Sequence, residues 1–292
     1  MAPVIAPGTP DELPHPGTGQ LFTSPVRPGT GWPEDPAAPR TRRAATADDV
    51  VALSASSPDL AVLDARVSVC RACPRLVAWR EDVATTKRRA YADQPYWGRP
   101  IAGWGDPAGG VLVVGLAPAA HGGNRTGRIF TGDRSGDWVF AALHRAGLAV
   151  QASSERAGDG QAVTGVRIAA PVRCAPPDNA PTPAERDACA PWLDREVALV
   201  RPRVLLALGG FAWGSALACA QRLGWEVPRP RPRFGHGAEV ALASAGATGA
   251  DGVLHVVASY HVSQQNTFTG RLTEPMLDAV VARAVDLAGA SG

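Results

Sequence analysis

VLVVGLAPAAHGGNRTGRIFTGDRSGD, residues 111–137, joins a short apolar run to a long polar loop. Its first four residues are apolar and three of them are β-branched, which is typical of a strand buried at the centre of a sheet. The loop that follows is rich in glycine and polar side chains, and such long loops inside a compact domain are usually functional. The stretch therefore predicts a buried strand that leads into a ligand-binding loop; an ordinary surface loop is the simpler alternative.

Composition limits the class of protein. The chain has 292 residues, of which 45% are hydrophobic and 19% are charged, as in a globular protein with a sizeable core. The formal net charge of +2 is too small to indicate a polyanionic partner by itself. The sequence shows neither a signal-peptide pattern nor an apolar run that could cross a bilayer, so we expect a cytoplasmic protein with no membrane partner.

Residues 1–45 differ from the rest of the chain in composition. Ten prolines and many glycines interrupt any apolar periodicity in this segment. A segment of this kind buries too little apolar surface to offset the entropy lost on ordering. The sequence therefore predicts a disordered Pro/Gly-rich N-terminal tail over residues 1–45 and a single domain over residues 46–292.

Three further apolar runs, residues 166–172, 204–208 and 253–259, are predicted strands. Helical patterns separate them, and Thr46 and Thr182 each stand at a helix start with the chemistry of an N-cap. Strands that alternate with helices predict an α/β fold with a central, mostly parallel four-stranded sheet covered by helices on both faces.

Two polar loops, residues 117–133 and 260–270, follow strands of this predicted sheet. In open α/β sheets, ligands bind beyond the carboxyl ends of the strands. We therefore expect the two loops to converge on one site.

The cysteines suggest a bound metal. Five cysteines in a chain without a secretion signal argue against a disulfide framework. Cys219 falls within an apolar helical pattern, where packing explains it. The other four, Cys70, Cys73, Cys174 and Cys189, form one close pair and two distant singles. Four thiolates can hold a structural zinc ion or a four-iron four-sulfur cluster, and spacing alone does not separate these two from buried cysteines without a ligand.

The histidines exclude one class of enzyme. His121, His236, His255 and His261 show no HExxH-like pairing, so the sequence does not fit a zinc hydrolase.

Four motifs carry a resemblance to a known family. They read CRACPRL at 70–76, GLAPAAHGGNRTGRIFTGDRSG at 115–136, VRCAPPDNAPTPAERDAC at 172–189 and SYHVSQQNTFTGRLT at 259–273. Together they resemble family 5 of the uracil-DNA glycosylases, the type B enzymes of bacteria and archaea. The likeness runs in collinear order over about residues 68–289.

The resemblance implies a three-layer α/β/α uracil-DNA glycosylase-like fold, a 4Fe-4S cluster on the four cysteines and removal of uracil from DNA. It also implies a broader range of bases, including hypoxanthine and ethenocytosine. Family 4 relatives carry a glutamate where this chain has Leu116, and family 1 enzymes carry an aspartate where it has Ala117. The absence of a carboxylate at both positions is itself typical of family 5.

The resemblance also assigns residues to the base. Phe130 matches the ring that stacks on the flipped base, and His261 matches the histidine that donates a hydrogen bond to the departing O2. Ala117 lines the base, and Asn179 is the nearest substitute for an asparagine that family 4 carries at position 170. With no carboxylate after the strand, Asn124 is the candidate for holding the attacking water. The predicted catalytic residues are therefore Asn124 and His261.

The second polar loop is the predicted DNA contact. Most relatives read His-Pro-Ser where this chain has His261, Val262 and Ser263, so the missing proline changes the pose of the loop. Ser263, Gln264, Asn266 and Arg271 are the predicted DNA-binding residues, and a monomer is expected. Asp133 either steadies the cationic sugar or caps the next helix.

One alternative from another class stays open at the level of sequence. A protein with this cluster and this loop could bind damaged DNA without turnover, or trap the sugar covalently. Ala117 and Val262, which depart from the better-known patterns, are the residues that keep this reading open.

Overall fold

The computed structural model describes residues 12–244 and 252–289. Within them the strands are β1 Leu13–Pro14, β2 Leu21–Phe22, β3 Trp104–Gly105, β4 Val111–Val114, β5 Val166–Ala169, β6 Val204–Leu208, β7 Glu239–Ala243 and β8 Val253–Ser259. The α-helices are α1 Ala47–Ala55, α2 Leu60–Ser68, α3 Pro74–Thr86, α4 Gly123–Thr126, α5 Arg134–Arg145, α6 Pro183–Val200, α7 Gly210–Arg222, α8 Gln264–Phe268 and α9 Glu274–Ala288. Single 3-10 turns occur at Arg89–Tyr91 and Pro177–Asn179.

The central sheet has six strands in the order β3-β5-β4-β6-β8-β7. Its four inner strands are parallel and are the four that the sequence predicts. The expected strand count is too low, because β3 and β7 pair antiparallel at the two edges. Each edge strand escapes a pattern-based prediction for a physical reason: β3 has only two residues, and β7 is exposed at several positions.

The sheet is the middle layer of three. Every residue of β4 and β6 is buried, and successive side chains point to opposite faces. Val111 and Val113 pack with α5 and α9 on one face, whereas Leu112 and Val114 pack with α6 and α7 on the other. Helices on both faces explain why the inner strands are apolar throughout instead of alternating. The predicted α/β/α architecture is confirmed.

The predicted disordered tail is wrong for residues 12–45; residues 1–11 lie outside the described part. Strands β1 and β2 form a small antiparallel pair, and Phe22, Val26 and Trp32 are buried in the main core. A buried ion pair joins Asp35 to Arg99. These three buried apolar side chains and the ion pair stabilise the segment. Its prolines also reduce the conformational entropy lost when it orders.

The predicted helix starts are confirmed. Thr46 and Asp49 form a capping box at α1, and Thr182 and Glu185 form another at α6. In the described part of the chain, no helix combines the length and apolarity needed to cross a bilayer.

Removing the Asp35 carboxylate should destabilise the whole domain. Asp35 and Arg99 side chains are only 4% and 7% exposed, so Asp35→Ala leaves a buried guanidinium without its counter-charge. We expect the free energy of unfolding to fall by about 3 kcal/mol in urea denaturation. Glu155→Ala, at an ion pair whose carboxylate is 72% exposed, is the control and should change little. Equal, small effects in both variants would mean that residues 12–45 do not pack as described.

Candidate functional site

Two neighbouring strands end in glycines that each accommodate an aromatic ring. Strands β4 and β6 are parallel neighbours with Val114 opposite Ala207, so Gly115 and Gly209 follow their ends with an offset of one residue. A Cβ on Gly115 would lie 2.9 Å from Cζ of Phe130, and one on Gly209 would lie 3.0 Å from Cβ of His261. The structure thus brings the loops after β4 and β8 to one edge of the sheet.

Phe130 is held in an unusual backbone conformation. Its φ of 49° is in the left-handed region, which bulky residues rarely adopt. Gly136 in the first turn of α5 permits this conformation, since a Cβ there would stand 1.9 Å from the Phe130 carbonyl oxygen. Backbone strain of this kind concentrates at functional sites.

His261 is braced through the backbone on both sides. The Asn266 Nδ2 donates a hydrogen bond to the His261 carbonyl oxygen at 2.8 Å. The Tyr260 backbone N–H donates to Nδ1 of His236 at 3.2 Å. Burial lowers the pKa of His261 below its ordinary value of 6.5. At neutral pH its imidazole is therefore uncharged and can donate a hydrogen bond from one ring nitrogen.

Asn124 is fully buried on the short helix α4. Its Nδ2 donates to the Arg80 carbonyl oxygen of α3 at 3.1 Å. Its Oδ1 is also buried and has no hydrogen-bond partner among the described residues. A buried acceptor without a partner is costly, so this oxygen is the polar group of the loop with unused hydrogen-bonding capacity.

The turn after β4 is apolar. Ala117 packs in a small cluster with Val172 and Phe211. Asp133, the acidic residue closest in sequence to Phe130, caps α5 by accepting from the Gly136 N–H at 3.0 Å. Burial raises the pKa of the Asp133 carboxyl, and the cap accounts for its position. The structure therefore favours the capping role of Asp133 over the electrostatic one.

Other predicted contacts lie at the surface. Asn179 is exposed in a turn, with φ of 55°, whereas Phe130 is partly buried and Asn124 is buried. Ser263 precedes α8 and Gln264 begins it, and Gln264 is exposed. Asn266 is partly buried, and its bond to His261 gives it an internal role that the sequence did not predict.

Cations and aromatic rings stand together at this surface. Phe268, on α8, is 65% exposed, and the Arg134 guanidinium lies 5.0 Å from its ring centroid. Arg271, a predicted DNA contact, lies 4.7 Å from the Tyr260 ring centroid. Sequence reasoning missed Phe268, Arg134 and His236, because the residues that surround them come from distant segments.

The four predicted metal ligands line one cavity. Cys70 and Cys73 precede α3, Cys174 follows β5, and Cys189 lies in α6. All four are free thiols in the structure. Cys219 instead lies on α7 and is buried in the core, as the packing interpretation predicts.

The sulfurs of this cavity oppose one another's ionisation. Burial, and next the nearby Cys174 sulfur, raise the pKa of Cys73 to about 12. The same two causes raise the pKa of Cys189. Four anionic sulfurs can therefore coexist here only beside compensating positive charge.

The remaining groups in the cavity wall suit an anionic sulfur site. Arg80 and Arg173 line it, and the Arg80 Nε and the Arg173 Nε and Nη1 are buried without a hydrogen-bond partner in the described chain. Within residues 12–244 and 252–289, no group of three or more His, Cys, Asp or Glu residues could hold a metal ion. The chemistry of the lining residues, four thiols and two arginines with unpartnered N–H groups, is nevertheless that of a site for a thiolate-bound anionic group.

Comparisons with known proteins point to one family. The family model described as the uracil DNA glycosylase superfamily matches residues 102–284. A type-5 uracil-DNA glycosylase of Mycobacterium tuberculosis is 56% identical over 277 residues, which is 94% of this chain and 99% of the relative. One of Thermus thermophilus is 47% identical over 76% of this chain and 95% of its own length. A type-4 uracil-DNA glycosylase of Pyrobaculum aerophilum is 36% identical over 37% of this chain and 48% of its own length.

The His261 imidazole should titrate below 6.5 in the folded chain. Burial disfavours the charged ring, and the same histidine in the urea-unfolded chain should return to about 6.5. Proton NMR of the imidazole resonances over pH 4–8 measures this, with His261→Gln used to assign the signal. A folded-state midpoint at or above 6.5 would show that the ring is solvated or paired with an anion.

Proposed function

This chain belongs to the uracil-DNA glycosylase superfamily and, within it, to the type-5 enzymes, and on that premise we propose how its residues remove a base from DNA. The protein hydrolyses the N-glycosidic bond of uracil in DNA and so begins base excision repair. The resemblance drawn from the four sequence motifs is confirmed at this level. The assignment of the site rests on one observation. Phe130 and His261 pack against the glycines that follow two neighbouring strands.

His261 assists the departing base. When the bond between the sugar and the base breaks, the base leaves with the electron pair and the sugar becomes cationic. A hydrogen bond from a neutral imidazole to O2 stabilises the developing negative charge on the base. The lowered pKa of His261 supports this role, because the uncharged ring keeps one donor at neutral pH.

Asn124 orients the attacking water. Neither position 116 nor position 117 offers a carboxylate. The unpartnered Oδ1 of Asn124 supports the proposal, because it can accept a hydrogen bond from water whose oxygen adds to the sugar carbon. The same atom in an ordinary buried amide would already have a donor.

The extruded base stacks on Phe130, while Ala117 lines its edge and Asn179 contributes from the exposed turn. Stacking on an aromatic ring contributes about 1–3 kcal/mol and is tolerant of the identity of the base. The small Ala117 side chain leaves room for bases larger than uracil. We therefore extend the proposal to other deaminated or damaged bases, such as hypoxanthine and ethenocytosine.

The surface around α8 contacts the duplex. Ser263, Gln264 and Arg271 contact the backbone on either side of the extruded nucleotide. The exposure of Gln264 and Arg271 supports this assignment. Asn266 supports them from inside through its hydrogen bond to the His261 carbonyl. Phe268 projects from the same helix, and its exposed ring can enter the stack at the gap that the base leaves.

Cys70, Cys73, Cys174 and Cys189 hold a 4Fe-4S cluster. The residues around their cavity support this proposal, because four thiols and two arginines with unpartnered N–H groups suit an anionic thiolate-bound cluster. Such a cluster supplies covalent bonds between segments that are distant in sequence. The cysteine positions support this, because ligation would join the start of α3, the segment after β5 and helix α6.

The proposal includes a monomer that acts in the cytoplasm, where the DNA lies. One chain supplies every residue named for the base and for the DNA surface. A second copy is therefore not needed to complete the site.

Loss of the imidazole should slow excision without removing the fold. We expect His261→Ala to lower the single-turnover rate on a uracil-containing duplex by about 100-fold, since one donor to the developing anion is lost. Alkaline cleavage of the abasic product measures the rate, and affinity for the duplex should change little. His144→Ala, at an exposed histidine on α5, is the matched control.

The same assay separates the rival activities. An unchanged excision rate in His261→Ala would remove His261 from the mechanism. A wild-type protein that binds the duplex without releasing uracil, or that forms an adduct resistant to denaturant, would replace hydrolysis with damage binding or covalent trapping.

Removal of the Phe268 ring should slow excision from duplex DNA and not from single-stranded DNA. A ring that fills the stack offsets unpairing, which costs a few kcal/mol only where a partner strand is present. We expect Phe268→Ala to slow single-turnover excision from a duplex by about tenfold or more and to leave a single-stranded substrate within about twofold. Phe268→Leu should retain most of the duplex activity. Equal losses on both substrates would assign Phe268 to folding rather than to the duplex.

A further inference from the structure

Arg80 is a buried cation whose guanidinium faces the cysteine cavity. It lies on α3 and is 1% exposed. Its Nη1 donates to the Cys174 Sγ at 2.8 Å, and its Nη2 donates to the Cys70 carbonyl oxygen at 3.0 Å. The nearby Glu81 carboxylate is 3.9 Å away and already forms an ion pair with Arg71.

Several other buried arginines have close carboxylates, whereas Arg125 bonds to an amide oxygen and to backbone carbonyls. Arg99 pairs with Asp35, and Arg173 pairs with Glu196. A buried charge without a counter-charge is strongly destabilising. The groups that face Arg80 across the cavity are the cysteine sulfurs, so these are the groups that can supply the missing negative charge.

The other end of Arg80 contacts the loop that holds the base. Its main-chain carbonyl oxygen accepts the hydrogen bond from Asn124 Nδ2 at 3.1 Å. One residue therefore contacts both a cysteine sulfur and the amide proposed to orient the water. Because the contact to Asn124 uses the backbone, it depends on where α3 sits and not on the identity of the side chain.

We propose that Arg80 is a positioning residue that couples the cysteine cavity to Asn124. This inference rests on the proposed cluster and on the proposed role of Asn124. The guanidinium provides positive charge and an N–H to a cysteine sulfur, and the resulting attraction holds α3 against the cavity wall. The position of α3 in turn fixes the carbonyl that orients the Asn124 amide.

Arg80→Gln should alter the cluster and the chemistry together. Loss of a neighbouring positive charge and of a hydrogen bond to sulfur favours the oxidised cluster, so its midpoint potential should become more negative. Iron should also be lost faster to a chelator. Single-turnover excision should slow by about tenfold or more, with affinity for duplex DNA within about twofold, because Asn124 is displaced while the DNA surface is not.

Two further variants sharpen the test. Arg80→Lys keeps the charge and loses the planar fork, so its midpoint potential should lie between those of wild type and Arg80→Gln. Arg145→Gln makes the same change at an arginine whose side chain is 38% exposed and which pairs with Asp278 on α9, and it should match wild type in every measurement. The potential is measured by spectroelectrochemistry, and iron and sulfide are measured per chain.

The outcomes separate the proposal from its premises. An unchanged midpoint potential in iron-loaded Arg80→Gln would overturn the contact to the cluster, and a shifted potential with unchanged excision would overturn the coupling to Asn124. If Arg80→Gln retains no iron, retention by Arg80→Lys supports the charge, and loss in both variants assigns Arg80 to packing alone. An iron-free wild type would reject the proposed cluster instead, and a loaded wild type without excision would reject the proposed function.

Discussion

The parallel pairing of β4 with β6 is the constraint on which the site depends. These strands are buried on both faces, so their register is fixed by packing, and Gly115 and Gly209 follow their ends at the same edge of the sheet, one residue out of register. Phe130 and His261, from loops more than a hundred residues apart, pack against these two glycines. A side chain at either glycine would displace the ring that packs against it. The lack of a side chain at these two positions therefore matters as much as the rings themselves.

Several charged side chains of this structure are buried. Several arginines are buried, and each is stabilised by a partner from a distant segment. Asp35 anchors the N-terminal segment through Arg99, and Glu196 of α6 pairs with Arg167 and with Arg173, of which Arg173 lines the cysteine cavity. The neighbouring guanidinium groups of Arg173 and Arg167 hold the pKa of the Glu196 carboxyl below its ordinary range despite burial. These ion pairs tie loops to the sheet where a larger apolar core would otherwise be needed.

The chemistry at the strand ends follows from neutral groups. Positions 116 and 117 after β4 carry no carboxylate, the Asp133 carboxyl caps a helix, and the His261 ring is uncharged. The proposed mechanism accordingly uses stabilisation of the departing anion and orientation of water, since a strong base is absent from these positions. This arrangement suits a leaving group that is itself a stable anion.

The sequence by itself determined the four inner strands, the helix caps at Thr46 and Thr182, and the cysteine set, because strand burial, capping and ligand type are written in local residue chemistry. It also determined the family, through long collinear motifs. Only the tertiary structure decided the antiparallel edge strands, the ordering of residues 12–45 and the partners of Asn124, Asn266 and Phe268. Those features depend on groups brought from distant segments, and local propensity contains no information about such partners.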